Sequence, residues 1–118
     1  MPLTMYHNPR CSKSRKTLEI IEKSGSTAEI VRYLESPPDG ARVLALAGLL
    51  GVPVKEILRR KESVVVDAAD LPDLDDDAAL ADWIASHPIA LERPIVVSAD
   101  GQRAVVGRPP ENVSALIE

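Results

Sequence analysis

Leu3-Thr4-Met5-Tyr6-His7-Asn8-Pro9-Arg10-Cys11-Ser12-Lys13-Ser14-Arg15-Lys16 is the stretch from which the rest of the chain is read. Leu3 to His7 alternates mildly and is closed by Asn8-Pro9, which predicts a short strand. From Ser12 to Lys23 the pattern turns helical, with Leu18 and Ile21 on one face and Gly25 as the stop. Ser12 and Ser14 stand where an N-cap is expected. Glu29 to Leu34 reads as a second strand, ended by Ser36-Pro37-Pro38. Strand, loop, helix and strand in this order imply a parallel pair joined by a right-handed crossover.

Beyond that unit the middle of the chain is helical. Asp39 is placed to cap a helix with the stripe Val43, Leu46, Ala47 and Leu50, and Gly51-Val52-Pro53 breaks it. A short helix is expected around Val54 to Arg60. Val64-Val65-Val66 reads equally as an extended run or a buried turn. Asp77 to Ser86 predicts a helix carrying Leu80, Trp83 and Ile84, with Pro88 ending it. The pattern then returns to strands. Ile95 to Ser98 and Ala104 to Val106 flank Asp100-Gly101, a hairpin signal. Pro109-Pro110-Glu111 opens a last short helix. The sequence thus predicts one α/β domain over 1–118, with a thioredoxin-like fold, a mixed four-stranded sheet and a helical insertion at about 39–87.

Composition narrows the function. There is no Phe, one Trp and two Tyr, so the core is aliphatic and a stacking surface for single-stranded nucleic acid is not available. The net charge is −4, which also disfavours a general nucleic-acid role. That charge is uneven: residues 1–62 hold 11 Lys/Arg and 7 Asp/Glu, residues 63–118 hold 3 and 11. The run Asp73, Asp75, Asp76 and Asp77 reads as a solvated acidic loop. One cysteine permits no internal disulfide. No secretory signal pattern and no apolar run near the roughly 20 residues of a bilayer span are present. A cytoplasmic location with no membrane partner is expected, and the lone thiol stays reduced there.

The chemistry is expected at Cys11. Arg10, Lys13, Arg15 and Lys16 surround it, and both positive charge and a helix N-terminus favour the thiolate, lowering a pKa of about 8.5 to roughly 3.5–7.5. Helix N-termini ordinarily favour Asp and Glu, so three basic residues there cost a few tenths of a kcal/mol each, about the size of one exposed charge–dipole contact. A docked anion or the thiolate itself would compensate. A free Cys is otherwise a small hydrophobe, but Cys11 lies in a polar strand-to-helix loop. Its motif is C-x-x-S, so the chain alone cannot run a dithiol cycle. A tyrosine-phosphatase-type loop would need Arg where Thr17 stands. What remains is a monothiol resolved by an external thiol, with glutathione or a small redox protein as the supplier. Arginines able to hold two oxygens of a tetrahedral anion are Arg59 or Arg60, Arg93 before Pro94, and Arg108 before Pro109, although each taken singly is better explained as a surface residue. His7 either tunes the thiol or is structural. His87 reads as a helix-end residue, and no metal site is visible.

Taken together, Tyr6 to Arg15, Tyr33-Leu34-Glu35, Ile57-Leu58-Arg59-Arg60-Lys61, His87-Pro88, Glu92 to Val97 and Gly107-Arg108-Pro109-Pro110-Glu111 resemble the glutaredoxin-dependent arsenate reductases, and in particular a short branch of that family. The resemblance implies a thioredoxin-like fold with a helical insert and Cys11 as the nucleophile forming a thiol–arsenate adduct. It maps the oxyanion-binding arginines onto Arg59, Arg93 and Arg108. His7 is similar to the family histidine that helps depress the cysteine pKa, Ser14 and Arg15 to its loop residues beside the thiol, and Pro94 to its cis-proline. No bound cofactor is implied; glutathione is a co-substrate and glutaredoxin a partner. A non-catalytic regulator or thiol-binding protein of the same fold, of the type that binds RNA polymerase, is the alternative. Such regulators often carry C-x-x-C, which this chain lacks.

Overall fold

The computed structural model describes residues 2–117; Met1 and Glu118, the ends of the expected 1–118 domain, lie outside the described residues. The chain divides into two compact units. One runs to Ser36 and resumes at Arg93, and the other is Pro37–Glu92.

The first unit is built on four strands, β1 (Leu3–His7), β2 (Ala28–Arg32), β3 (Ile95–Val97) and β4 (Ala104–Val106), in the order β2-β1-β3-β4. β1 runs parallel to β2 and antiparallel to β3, which runs antiparallel to β4. This is the mixed four-stranded sheet expected of a thioredoxin-like fold. Strand alternation sends Leu3 and Met5 to one face, where Val96, paired with Met5, joins them. Helix α1 (Ser12–Lys23) and the 3-10 segment Pro110–Leu116 cover that face. Ile21, Val113 and Leu116 close the core around Leu3, Met5 and Val96. The hairpin turns through Gly101, whose φ of 75° suits glycine.

β2 is shifted from expectation. It ends at Arg32, because the Arg32 carbonyl accepts from the N–H groups of both Glu35 and Ser36 (2.9 Å each) and closes a turn that buries Tyr33. Local turn bonds override the strand-like composition through Leu34.

In the second unit α2 (Gly40–Leu50), capped by Asp39, packs on α4 (Asp77–Ser86). Val43, Leu46 and Ala47 of α2 and Leu80, Ala81 and Ile84 of α4 are buried in its interior. The helix expected over Val54 to Arg60 is only a 3-10 turn, Val54–Ile57. Leu58 instead pairs antiparallel with Leu91, and Arg59 N–H donates to the Ala90 carbonyl at 2.7 Å. Cross-chain pairing wins over helix propensity there. Val64–Val66 is neither extended nor wholly buried: Ser63–Val66 forms a short helix, α3, with Val65 buried and Val66 68% exposed. The acidic run is not only solvated. Asp76 caps α4, Asp77 Oδ1 accepts from Val54 N–H at 3.2 Å, and Asp75 pairs with Lys55 at 2.9 Å.

Candidate active site

β1 delivers the chain to the site already constrained. His7 and Asn8, at its end, are buried. Asn8 Oδ1 accepts from Arg10 N–H (3.0 Å) and the Asn8 carbonyl from Cys11 N–H (3.0 Å), so one buried asparagine folds the loop. The Cys11 carbonyl then accepts the first helical bond, from Arg15 N–H at 3.0 Å. Cys11 itself is the N-cap of α1, with extended backbone at φ −91°, ψ 123°.

Neither Ser12 nor Ser14 caps the helix. Ser14 is turned inward: its Oγ accepts from Asn8 N–H at 3.1 Å and lies 2.7 Å from His7 Nδ1. Burial, with the charges of Arg32 and Arg15, holds His7 below the ordinary histidine pKa, so it is neutral at pH 7. Its contact with the Cys11 loop runs through Ser14. It fixes Ser14, whose backbone N–H faces the sulfur. Arg15 braces the loop from outside, Nη1 to the Pro9 carbonyl at 3.0 Å.

The Cys11 thiol is half-buried. Burial is the largest single influence on it and pushes its pKa up. The Ser14 backbone N–H, the Arg93 guanidinium, the Lys13 backbone N–H and the Arg108 charge together outweigh burial and hold it below the ordinary cysteine value. No side chain makes a full capping hydrogen bond at this helix start. The two backbone N–H groups act on the sulfur electrostatically, through the partial positive charge of an uncapped helix end.

Both arginines come from segments far along the chain. Arg108 Nη2 donates to Cys11 Sγ at 3.5 Å and its Nε to the Arg93 carbonyl at 2.7 Å. The peptide bonds Arg93–Pro94 and Arg108–Pro109 are both cis. The Gly107 N–H donates to the Pro94 carbonyl at 2.8 Å, binding the two segments together. A Cβ on Gly107 would come within 2.5 Å of Thr17 Oγ1 and 2.7 Å of Pro94 Cγ, so the position has room only for glycine. Asn112 Nδ2 donates to the carbonyls of Val106 and Arg108 (3.1 and 3.2 Å) and clasps the Arg108 turn from behind.

Cys11, Arg93 and Arg108 are thus brought together in the first unit, with His7, Ser14, Arg15 and Pro94 supporting them. Arg59 belongs to the second unit. There its Nε meets Glu62 at 3.1 Å and its Nη1 meets Glu92 at 2.7 Å, while Arg60 is exposed. His87 is structural, its Nδ1 2.8 Å from the Trp83 carbonyl and its ring stacked on Trp83. Asn8, Gly107 and Asn112 shape the site although the sequence assigned them no role in it. The Asx-turn habit of asparagine before proline was the available signal for Asn8; the other two have no local signature.

A sulfur flanked by two guanidiniums and a helix N-terminus suits a compact, polyanionic ligand. The profile of the ArsC family matches residues 6–116 of the chain. An arsenate reductase of Neisseria meningitidis serogroup A is 44% identical over 117 residues, covering 98% of this chain and 97% of that one. An arsenate reductase of Escherichia coli strain K12 is 37% identical over 115 residues, covering 98% of this chain and 80% of that one. The solved structure of an arsenate reductase from Vibrio cholerae superposes with a TM-score of 0.85 at 37% identity, covering 98% of each chain.

Proposed function

The chain belongs to the ArsC family, and on that footing we propose that it is an arsenate reductase, an oxidoreductase with Cys11 as nucleophile and external thiols as the source of electrons. The observation that carries this reading is the convergence of Arg108, at 3.5 Å, and Arg93 on one sulfur at a helix N-terminus. The Cys11 thiolate adds to the arsenic of arsenate. An Sγ–As bond forms, an As–O bond breaks, and the departing oxygen leaves as water after protonation. Arg93 and Arg108 hold the oxyanion and spread its charge while this happens. His7 and Ser14 are positioning residues that keep the Ser14 N–H aimed at the sulfur.

Glutathione thiolate next attacks Cys11 Sγ. The Sγ–As bond breaks, its electron pair stays on arsenic, and arsenic(V) leaves as arsenite. Cys11 is left in a mixed disulfide with glutathione. Glutaredoxin takes the glutathionyl group onto its own thiol and frees the Cys11 thiolate. The lone cysteine motivates this division of labour, because the chain supplies no second thiol. Arg59 enters the reading as a third oxyanion ligand from the family resemblance alone.

The test is arsenate-dependent oxidation of NADPH in the presence of glutathione, glutathione reductase and glutaredoxin. Wild type is expected to turn over, and Cys11→Ser to fall to background. Full activity in Cys11→Ser, or none in wild type, overturns the reading. Retention of RNA polymerase by an inactive wild type would point to the regulator instead.

A further inference from the structure

Beside the Cys11 loop lies a cavity of about 240 Å³ that this chemistry leaves unused. Its walls are the loop from His7 to Arg10 together with Arg32, Leu34 and Glu35. A shallower hollow of about 390 Å³ continues it along the edge strand β2, sharing His7, Arg32 and Glu35. Arg10, Arg32 and Glu35 are exposed. Among the described residues, none of these three makes a side-chain hydrogen bond or ion pair. Two cations and one anion therefore ring a small cavity with no side-chain hydrogen bond or ion pair among the described residues, and Leu34, 40% exposed, gives it an apolar wall.

That charge pattern is complementary to a small peptide bearing two carboxylates and one ammonium. Glutathione carries these groups: a glycyl carboxylate at one end, a γ-glutamyl carboxylate and ammonium at the other, and the thiol on the residue between. We propose that this cavity is the glutathione subsite, with Arg10 and Arg32 taking the two carboxylates and Glu35 the ammonium.

Sheet topology supports the placement. Displacement at sulfur requires the incoming thiolate to approach opposite the leaving group. The strand order β2-β1-β3-β4 puts β2, whose last residue Arg32 lines the cavity, on one flank of β1. Arg93 precedes β3 and Arg108 follows β4, so both approach from the other flank. The β1 loop that ends at Cys11 lies between them. An oxyanion held by Arg93 and Arg108 and a thiol entering from the β2 side meet the sulfur from opposite directions. Arg10 is bonded directly to Cys11, and Cys11 N–H is tied to the Asn8 carbonyl of the same wall, so a peptide anchored here by both ends holds its central thiol at the reacting sulfur.

The inference rests on the reductase reading, and its test separates the two. S-methylglutathione, which cannot react, is titrated calorimetrically into full-length Cys11→Ser. Binding is expected, weakened about two- to fivefold by each of Arg10→Ala, Arg32→Ala and Glu35→Gln, the size of one exposed ion pair, and retained by Arg32→Lys. Converting the ligand's glycyl carboxylate to the amide weakens binding similarly, with no further loss in the arginine variant that had held it. Absence of binding at millimolar S-methylglutathione, or binding indifferent to all three substitutions, overturns the subsite. In the coupled assay the same variants raise the glutathione KM. Turnover with an unchanged glutathione KM overturns the subsite and leaves the reductase. Binding as expected with no arsenate turnover overturns the reductase and leaves the subsite.

Discussion

The helices that begin after Cys11 and Asp76 start in opposite ways. At α4 the Asp76 carboxylate accepts from Ala79 N–H at 3.1 Å, and Asp77 follows in the first turn. At α1 no oxygen caps the helix, no acidic residue lies in the first turn, and Lys13, Arg15 and Lys16 crowd it. A carboxylate N-cap stabilises a helix by about 0.5–2 kcal/mol relative to alanine, and an acidic first turn adds about 0.3–1 kcal/mol. α1 forgoes both. The N–H groups that α4 satisfies with carboxylate are kept at α1 for a sulfur. The difference teaches that a helix start can serve either stability or reactivity, and that the choice is written in which atom occupies the N-cap.

The most forceful way to break this comparison is to give α1 the start of α4. Cys11→Asp is expected to abolish arsenate turnover entirely while raising stability by about 1 kcal/mol, as a true N-cap does. Thermal unfolding alongside the coupled assay reads both. A loss of stability would show that the N-cap position itself, rather than the thiol, is what the surroundings are built to hold.

Removing a guanidinium acts on the reactive side only. Arg108→Ala is expected to lower kcat/KM about 10²–10³-fold, the usual effect of deleting one donor to a developing oxyanion. It also shifts the pH at which Cys11 alkylates upward, because the Arg108 charge is one of the groups favouring the thiolate. The sign is fixed by linkage. The folded thiol has the lower pKa, so the stability it contributes is fully present above the unfolded value and is lost as pH falls through the folded one. Wild type should therefore lose its stability relative to Cys11→Ser on acidification across that window. Alkylation at an ordinary cysteine pKa in wild type would contradict the comparison outright.

Gly107 sharpens it from the packing side. Gly107→Ala drives a methyl group against Thr17 and Pro94, an overpacking worth about 1–3 kcal/mol. Because Gly107 precedes Arg108 and bonds to Pro94, turnover is expected to fall more than the loss of stability explains. The same substitution at Gly48, where nothing lies within 4 Å of the added atom, leaves turnover alone.

How much of this could be read beforehand follows from the range of the forces involved. α1, α2 and α4 were legible because periodicity, Asp39, and glycine at 25 and 51 are local signals. The hairpin at Asp100-Gly101 was legible for the same reason. The segment after Ile57 was not, because its conformation is set by Leu91 and Ala90 more than thirty positions away. Within the site, the thiol and its basic surroundings stood out in sequence, but the loop's own cationic side chains are not what favours the thiolate against burial. Two backbone N–H groups and two remote arginines do that. Arg59 has the same side-chain type as Arg108 and a different setting, clamped between Glu62 and Glu92. Residue identity alone does not distinguish them.

The smallest effect tests the comparison most finely. Lys13→Glu places in α1 the acidic first turn that α4 already has, and leaves Cys11 and the Lys13 backbone N–H where they are. The side chain is exposed, so nothing is unpacked. Helix stability is expected to rise by about 0.3–1 kcal/mol through the macrodipole, while the new negative charge beside the sulfur raises the alkylation pH slightly. Stability and thiolate character should therefore move in opposite directions from one substitution. If thermal unfolding and alkylation instead improve together, the helix start is not shared between the two demands, and the basic first turn of α1 must be there for another reason.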